Sequence, residues 1–190
     1  MELLFKNFTK LTKDEIILIH QMRNSDAVRL KMYNQEIIPL ENHKNWVSSL
    51  TERNDCRYFL VYADDKAIGV VDFTSIKKDS CEWGYYLAPD MQKSGYGILL
   101  EYYVLKYSFE KLAVKTLFCA VLDSNKNVYE THIKYFGFSP DEKYSSTQKK
   151  GENTFCFDGL SLSKDDWQKW KSPVVEQSLK FFKVKNVSIL

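Results

Sequence analysis

Six residues, Gln92-Lys93-Ser94-Gly95-Tyr96-Gly97, carry the strongest chemical signal in this chain because of what flanks them. The apolar, aromatic run from Cys81 to Leu87 reads as a strand, and Ile98 to Phe109 has apolar residues at helical spacing. A glycine-bearing turn between a strand and a helix aims several backbone N–H groups, and the positive end of the helix dipole, at one spot. That spot suits a phosphate or pyrophosphate. The glycines let the backbone approach such an anion closely. Taken alone, the same residues also read as a plain structural turn.

Glu82 is the second signal. It sits in the middle of the apolar strand, where an unpaired carboxylate is costly and its pKa tends to rise. That tuning suits a general base near neutral pH. The competing reading pairs it with Arg23 or a lysine. Asp72, on the neighbouring strand, is the alternative base.

Composition narrows the function classes. At 190 residues the chain is long enough for one domain with a full core. Its formal net charge of +2, with acids and bases interspersed, argues against a nucleic-acid partner and against a basic membrane anchor. The cysteines Cys56, Cys81, Cys119 and Cys156 form no C-x-x-C pair, so reduced, buried thiols are expected. His20, His43 and His132 lie too far apart for metal-site spacing, and no metal is expected. There is no apolar leader at the N-terminus and no membrane-length apolar run. The expectation is a soluble, cytoplasmic protein.

The elements that must position these residues follow from pattern. Leu3 to Phe8 reads as a strand, and Thr12 with Glu15 as a capping box opening a helix to Arg23-Asn24. A second helix spans about Glu41 to Arg53. Three strands, Arg57 to Ala63, Ala67 to Ile76 and Cys81 to Leu87, joined by tight polar turns, predict an antiparallel meander. After the glycine turn come its helix, a strand (Val114 to Leu122), a helix (about Asn125 to Phe136), a strand opening at Gly137-Phe138, and a strand from Thr154 to Leu162. Ser163 caps a short helix broken by Pro173. This order predicts an α/β fold, a mixed sheet with helices on both faces, as one domain over 1–172. Residues 173–190 form an extension ambiguous between helix and strand, with no function assigned.

In that order of elements, Q-x-x-G-x-G after the fourth strand resembles the GNAT family of acetyl-CoA-dependent N-acetyltransferases. The stretch Asn125-Lys126-Asn127-Val128 through His132 to Gly137-Phe138 is similar to the family's N-x-x-A…Y…G-F segment, with one residue more before Gly137 than usual. The likeness spans roughly Leu3 to Leu162. In the first half, Arg23-Asn24, Met32-Tyr33-Asn34, Ile38, His43, Trp46, Tyr58-Phe59-Leu60-Val61 and Ile68-Gly69-Val70 are similar to one branch. Those enzymes serve pseudaminic-acid biosynthesis and acetylate the 4-amino group of a UDP-linked 4-amino-4,6-dideoxy-N-acetyl-altrosamine.

The resemblance implies acetyl-CoA as cosubstrate, with its pyrophosphate on Gln92, Lys93, Ser94, Gly95, Tyr96 and Gly97. It implies Leu87 beside the pantetheine arm, and Asn125 bonding that arm from the other side unless Asn125 is only an N-cap. His132 occupies the place of the family's general-acid tyrosine, and Tyr135 becomes the rival acid if the extra residue shifts the register. The acceptor pocket is expected from Arg23 on a diphosphate, Tyr33 and Trp46 on uracil or hexose, Met32 over a 6-methyl group, and His43, Asp72 and Tyr86 beside them. Met32 and Trp46 also read as plain core. The partner implied is a small nucleotide sugar, and a homodimer is compatible with the family. A protein N-terminal or ribosomal-protein acetyltransferase and a non-catalytic binding domain of the same fold are the alternative readings. A polyamine acetyltransferase ranks lower, for lack of clustered acids.

Overall fold

The computed structural model describes residues 1–190. Strand β1 (Glu2–Asn7) leads to helix α1 (Lys13–Asn24), which opens with the expected capping box between Thr12 and Glu15. A single turn, α2 (Asp26–Arg29), and helix α3 (Leu40–Ser49) follow. Strands β2 (Arg57–Ala63), β3 (Lys66–Thr74) and β4 (Ser80–Leu87) form the antiparallel meander. Helix α4 (Tyr96–Glu110), strand β5 (Thr116–Leu122) and helix α5 (Lys126–Phe136) complete the crossover. Then come β6 (Ser139–Pro140), β7 (Ser146–Lys150), β8 (Asn153–Ser163), α6 (Lys164–Lys169), α7 (Pro173–Phe182) and β9 (Asn186–Ile189).

All nine strands join one mixed sheet in the order β6-β8-β5-β4-β3-β2-β1-β9, with β7 paired to β8. Side chains alternate between the faces of β4. Cys81 and Trp83, with half-buried Tyr85, belong to the main core under α4 and α5, while Tyr86 packs with the smaller core under α1 and α3. The feature that positions the site is a parting of neighbours. β4 and β5 run parallel but pair only at Ser80–Thr116, Cys81–Leu117 and Glu82–Phe118. Beyond Glu82 the two strands diverge, each held by its outer partner, β3 or β8.

Three elements depart from the sequence expectation. The segment of β7, Ser-Thr-Gln-Lys-Lys, is polar throughout and shows no alternation, so only its pairing with β8 makes it a strand. The strand expected at Gly137-Phe138 starts at Ser139, because Gly137 takes φ 76° as the C-cap of α5. Pro173 does more than end α6. It fills the first turn of α7, behind Ser172 as cap.

Residues 173–190 take both of the forms left open by their pattern. α7 lays Val175, Leu179 and Phe182 against the main core, and β9 adds a parallel strand to β1. Deleting residues 173–190 uncovers this apolar surface and the β1 edge. The expected result is a melting temperature lower by at least about 5 °C, read by circular dichroism. A shorter chain that melts with the full one would show that the segment adds nothing to the core.

Candidate active site

The glycine turn is built for an anion. Gly95 stands at the N-cap of α4 with φ 87°, and no side chain caps the helix. No acidic residue occupies the first turn. The first N–H groups of α4 therefore lack side-chain partners, and the dipole there is unopposed. Lys93 is exposed with φ 61°, and Ser94 Oγ donates back to the Met91 carbonyl. Gln92 points elsewhere, donating to the Ala27 carbonyl at 3.3 Å and so tying the turn to α2. Gly97 eases packing, since a Cβ there would meet the Tyr85 hydroxyl at a tight 3.2 Å. Phe182 closes the turn from the side, with its ring 4.7 Å from that of Tyr96.

The gap between β4 and β5 opens beside this turn. Leu87, the last residue of β4, is half-buried and pairs with Gly69 on the far side from the gap. Asn125 precedes α5 across the gap, and its side chain makes no capping bond, which leaves its amide for a ligand.

On the α1 and α3 face, polar groups gather under cover. Glu82 forms no ion pair with Arg23 or a lysine. Its carboxylate accepts from the hydroxyls of Thr74 at 3.1 Å and Ser75 at 3.4 Å. Asp72 lies opposite Gly84, and a Cβ on Gly84 would come within 3.2 Å of the Asp72 carboxylate. The glycine therefore lets that carboxylate lie across β4, toward the gap. Burial, with the charge of Glu82 added, pushes the Asp72 pKa up to about 7. Tyr86 is pushed well up by burial, with Arg23 opposing.

Arg23 donates to the Asn34 carbonyl at 2.8 Å, while its Nη1 is buried without a partner. Burial lowers its pKa, and Tyr86 opposes this. His43 is likewise buried with Nε2 unpartnered, and burial, then His20 and Arg23, bring its pKa down to about 4. It is a neutral donor or acceptor at physiological pH. Trp46 packs edge-on to Phe8 and Tyr58 and 5.5 Å from His43, half in the smaller core and half lining this face.

Met32 and Tyr33 lie in the loop after α2. Asn24 clamps that loop by bonding both backbone groups of Ile38. The loop crosses to the β7–β8 hairpin, where Tyr33 packs on Phe155 and Phe157 and Lys150 binds Asn34 and Glu36. Arg23, His43, Trp46, Asp72 and Tyr86 thus share one side of the sheet, while Tyr33 is exposed in the loop after α2.

His132 lies on the opposite face. It is buried, meets Trp83 edge-on at 5.1 Å, and its Nδ1 donates to Glu101 Oε1 at 2.7 Å. Tyr135, the rival acid, is half-buried farther along α5, where its carbonyl accepts from the Trp170 indole. Sequence reasoning missed Glu101 and Trp83 on this face, and Tyr58, Phe155 and Phe157 on the other. A glutamate within the apolar run of α4 was the signal for the first. The two phenylalanines carried none, since their partner Tyr33 is distant in sequence.

Asp72 makes stability depend on pH. Its folded pKa lies above the unfolded value, so its contribution is complete below about pH 4 and is lost as pH rises through about 7. Asp72→Asn should raise the melting temperature relative to the native chain at about pH 8 and show a smaller difference at about pH 5. Parallel melting curves across that range test this. A difference that does not change with pH would place the ionisation elsewhere.

Comparison with known proteins bears on this geometry. Residues 7–135 match the family described as acetyltransferase (GNAT) domain. Two Campylobacter jejuni proteins named Acetyltransferase PseH are 36% and 38% identical over 127 and 120 residues, which is 67% and 63% of this chain and 79% and 74% of theirs. The crystal structure of Campylobacter jejuni N-acetyltransferase PseH in complex with acetyl coenzyme A superposes with a TM-score of 0.62 at 28% identity, covering 85% of this chain and 99% of that one. Spermidine N-acetyltransferase from Vibrio cholerae reaches a TM-score of 0.76 at 18% identity, over 88% of this chain and 98% of its own, a likeness of fold alone. No helix is long and apolar enough to cross a membrane, and no cluster of His, Cys, Asp and Glu is arranged to hold a metal.

Proposed function

The chain belongs to the GNAT acetyltransferase family and is an N-acetyltransferase, and on that footing we propose its acceptor and the residues that serve it. Acetyl is transferred from acetyl-CoA to the 4-amino group of a UDP-linked 4-amino-4,6-dideoxy sugar on the route to pseudaminic acid. The observation that carries this reading is a pair of buried, unpartnered atoms on the α1 and α3 side of the sheet, Arg23 Nη1 and His43 Nε2. Buried polar atoms without partners cost free energy unless a ligand meets them. An arginine fork matches a diphosphate, and neutral His43 matches a hydroxyl or phosphate oxygen. Tyr33 and Trp46 provide flat apolar area for uracil or the hexose, and Met32 covers the deoxygenated carbon. A peptide acceptor needs an open groove, whereas here the loop after α2 is bridged to the β7–β8 hairpin.

Bound acetyl-CoA supplies an activated acetyl thioester. The turn from Gln92 to Gly97 holds its pyrophosphate through the first amides of α4, and Asn125 and the free edge of β4 hold the arm in the gap. Asp72 takes the proton from the attacking ammonium or amine. Its carboxylate lies across Gly84 toward the gap, and its pKa near 7 keeps a useful fraction ionised and basic at neutral pH. Glu82 supports that tuning through its own charge, held by two hydroxyls. Amine nitrogen bonds to the thioester carbon, the carbon–sulfur bond breaks, and His132 supplies the proton that the thiolate takes. The attack is direct, and no cysteine stands where it would form an acyl-enzyme. Cys119 is buried, with its pKa raised by burial.

A thiol-release assay tests the acceptor against UDP- and dTDP-linked amino-deoxysugars, diamines and N-terminal peptides. Turnover is expected with the UDP-linked 4-amino sugar, and release only with diamines or peptides would overturn the reading. Arg23→Lys should raise KM for the nucleotide sugar about tenfold with little change in that for acetyl-CoA. Asp72→Asn should lower kcat roughly a hundredfold. Retained turnover in that variant, with loss in Glu82→Gln, would move the base to Glu82.

A further inference from the structure

Glu101 has no role in the reaction as described, yet it is fully buried on a face of α4 otherwise formed by Leu100, Val104 and Leu105. A leucine would pack there without the desolvation that a carboxylate suffers. Its Oε1 accepts from His132 Nδ1 at 2.7 Å, and its Oε2 is buried without a partner. His132 is only 3% exposed, wedged against Trp83, the first residue of β4 beyond the parting from β5. With Nδ1 engaged, the ring cannot turn. Its Nε2 makes no hydrogen bond within the protein and, unlike Glu101 Oε2, is not sealed from solvent.

We propose that Glu101 is the positioning residue of the general acid, fixing the His132 ring with Nε2 toward the gap. The inference rests on His132 as the acid. In the protonated pair both ring nitrogens carry hydrogen, with Nδ1–H directed at the Glu101 carboxylate. Nε2–H passes to the departing thiolate, giving the free thiol and a neutral imidazole that keeps its Nδ1–H bond. Solvent then returns a proton to Nε2. Burial raises the Glu101 carboxyl, and His132 is the influence that opposes it. The other titratable groups about the pair are Tyr85 on β4 and Cys119 on β5, both pushed well up by burial and neutral at physiological pH.

The test uses the full chain, acetyl-CoA and the UDP-linked 4-amino sugar, with variants Glu101→Gln, Glu101→Leu and His132→Gln. Glu101→Leu is expected to melt no lower than the native chain, since an apolar side chain suits the site. Both Glu101 variants should lose at least about tenfold in kcat, with acetyl-CoA affinity by calorimetry unchanged. Glu101→Gln/His132→Gln should be no slower than His132→Gln alone. Without any substrate, long-range 1H–15N spectra should show Nδ1–H at His132 in the native chain and an altered proton position in Glu101→Leu. Native kcat in both Glu101 variants beside a crippled His132→Gln would overturn this inference alone. Full activity in His132→Gln would remove the acid on which it rests. Should Glu101→Leu fail to fold, the kcat and spectrum of Glu101→Gln decide.

Discussion

The site depends on two neighbouring strands that stop pairing. β4 is committed to β3 through six residue pairs and β5 to β8 through seven, but they share only three with each other. Outer packing holds the divergence open. Phe118 of β5 stacks on Tyr144 at 3.9 Å, and Gly159 of β8 admits the backbone around Tyr144 where any Cβ would clash. On the other side, a Cβ at Gly69 of β3 would meet the Tyr86 carbonyl at 2.3 Å, so that glycine lets β4 lie tight against β3. A parted edge inside a sheet leaves backbone donors and acceptors without strand partners. Those are the groups that an amide-bearing arm would satisfy, with the amides of α4 waiting at its far end.

The chain also tolerates several buried polar atoms without partners, and they are not scattered. Arg23 Nη1 and His43 Nε2 lie under the acceptor face, and Trp83 Nε1 and Glu101 Oε2 lie beneath the gap on the other. Each costs stability as it stands. Two large cores offset this. The main core buries α4 between the sheet and α7, and the smaller one seats Trp46 and Tyr58 at the edge of the pocket. The aromatic residues of the smaller core serve packing, and the pocket role we propose for Trp46 is compatible with it.

Much of this was legible in the sequence, for identifiable reasons. The capping box at Thr12, the meander and the glycine turn depend on local signals, and all three stand in the fold. The placement of Glu82 within an apolar strand was legible too, but its partners were not. Thr74 and Ser75 bind it across the strand turn, a matter of register that no spacing rule supplies. Asp72 gained importance only through Gly84, because the absence of a side chain on one strand matters when the neighbouring strand's register is known. β7 escaped pattern reading because a polar strand is made by its partner, and the pattern left β9 undecided between helix and strand because a short edge strand is likewise made by pairing. The bond between Glu101 and His132 joins residues 31 positions apart, on helices whose packing only the fold defines.

In the mechanism we propose, acid and base stand on opposite faces of the sheet, and that mechanism requires the separation. Asp72 keeps a pKa near 7 because burial and the charge of Glu82 act on it without an opposing cation in contact. An imidazolium on the same face would pair with Asp72, pull its pKa down and leave it a weaker base. The same pairing would discharge the acid before any thiolate formed. With α5 and α4 holding His132 against Glu101 beneath β4, and α1 and α3 covering Asp72 above it, the two protonation states are kept apart by the strand. On that proposal the parting of β4 from β5 is where the thioester carbon would lie between both groups. Under the proposed mechanism, a closed sheet with the same side chains would keep the acid and the base and lose the reaction.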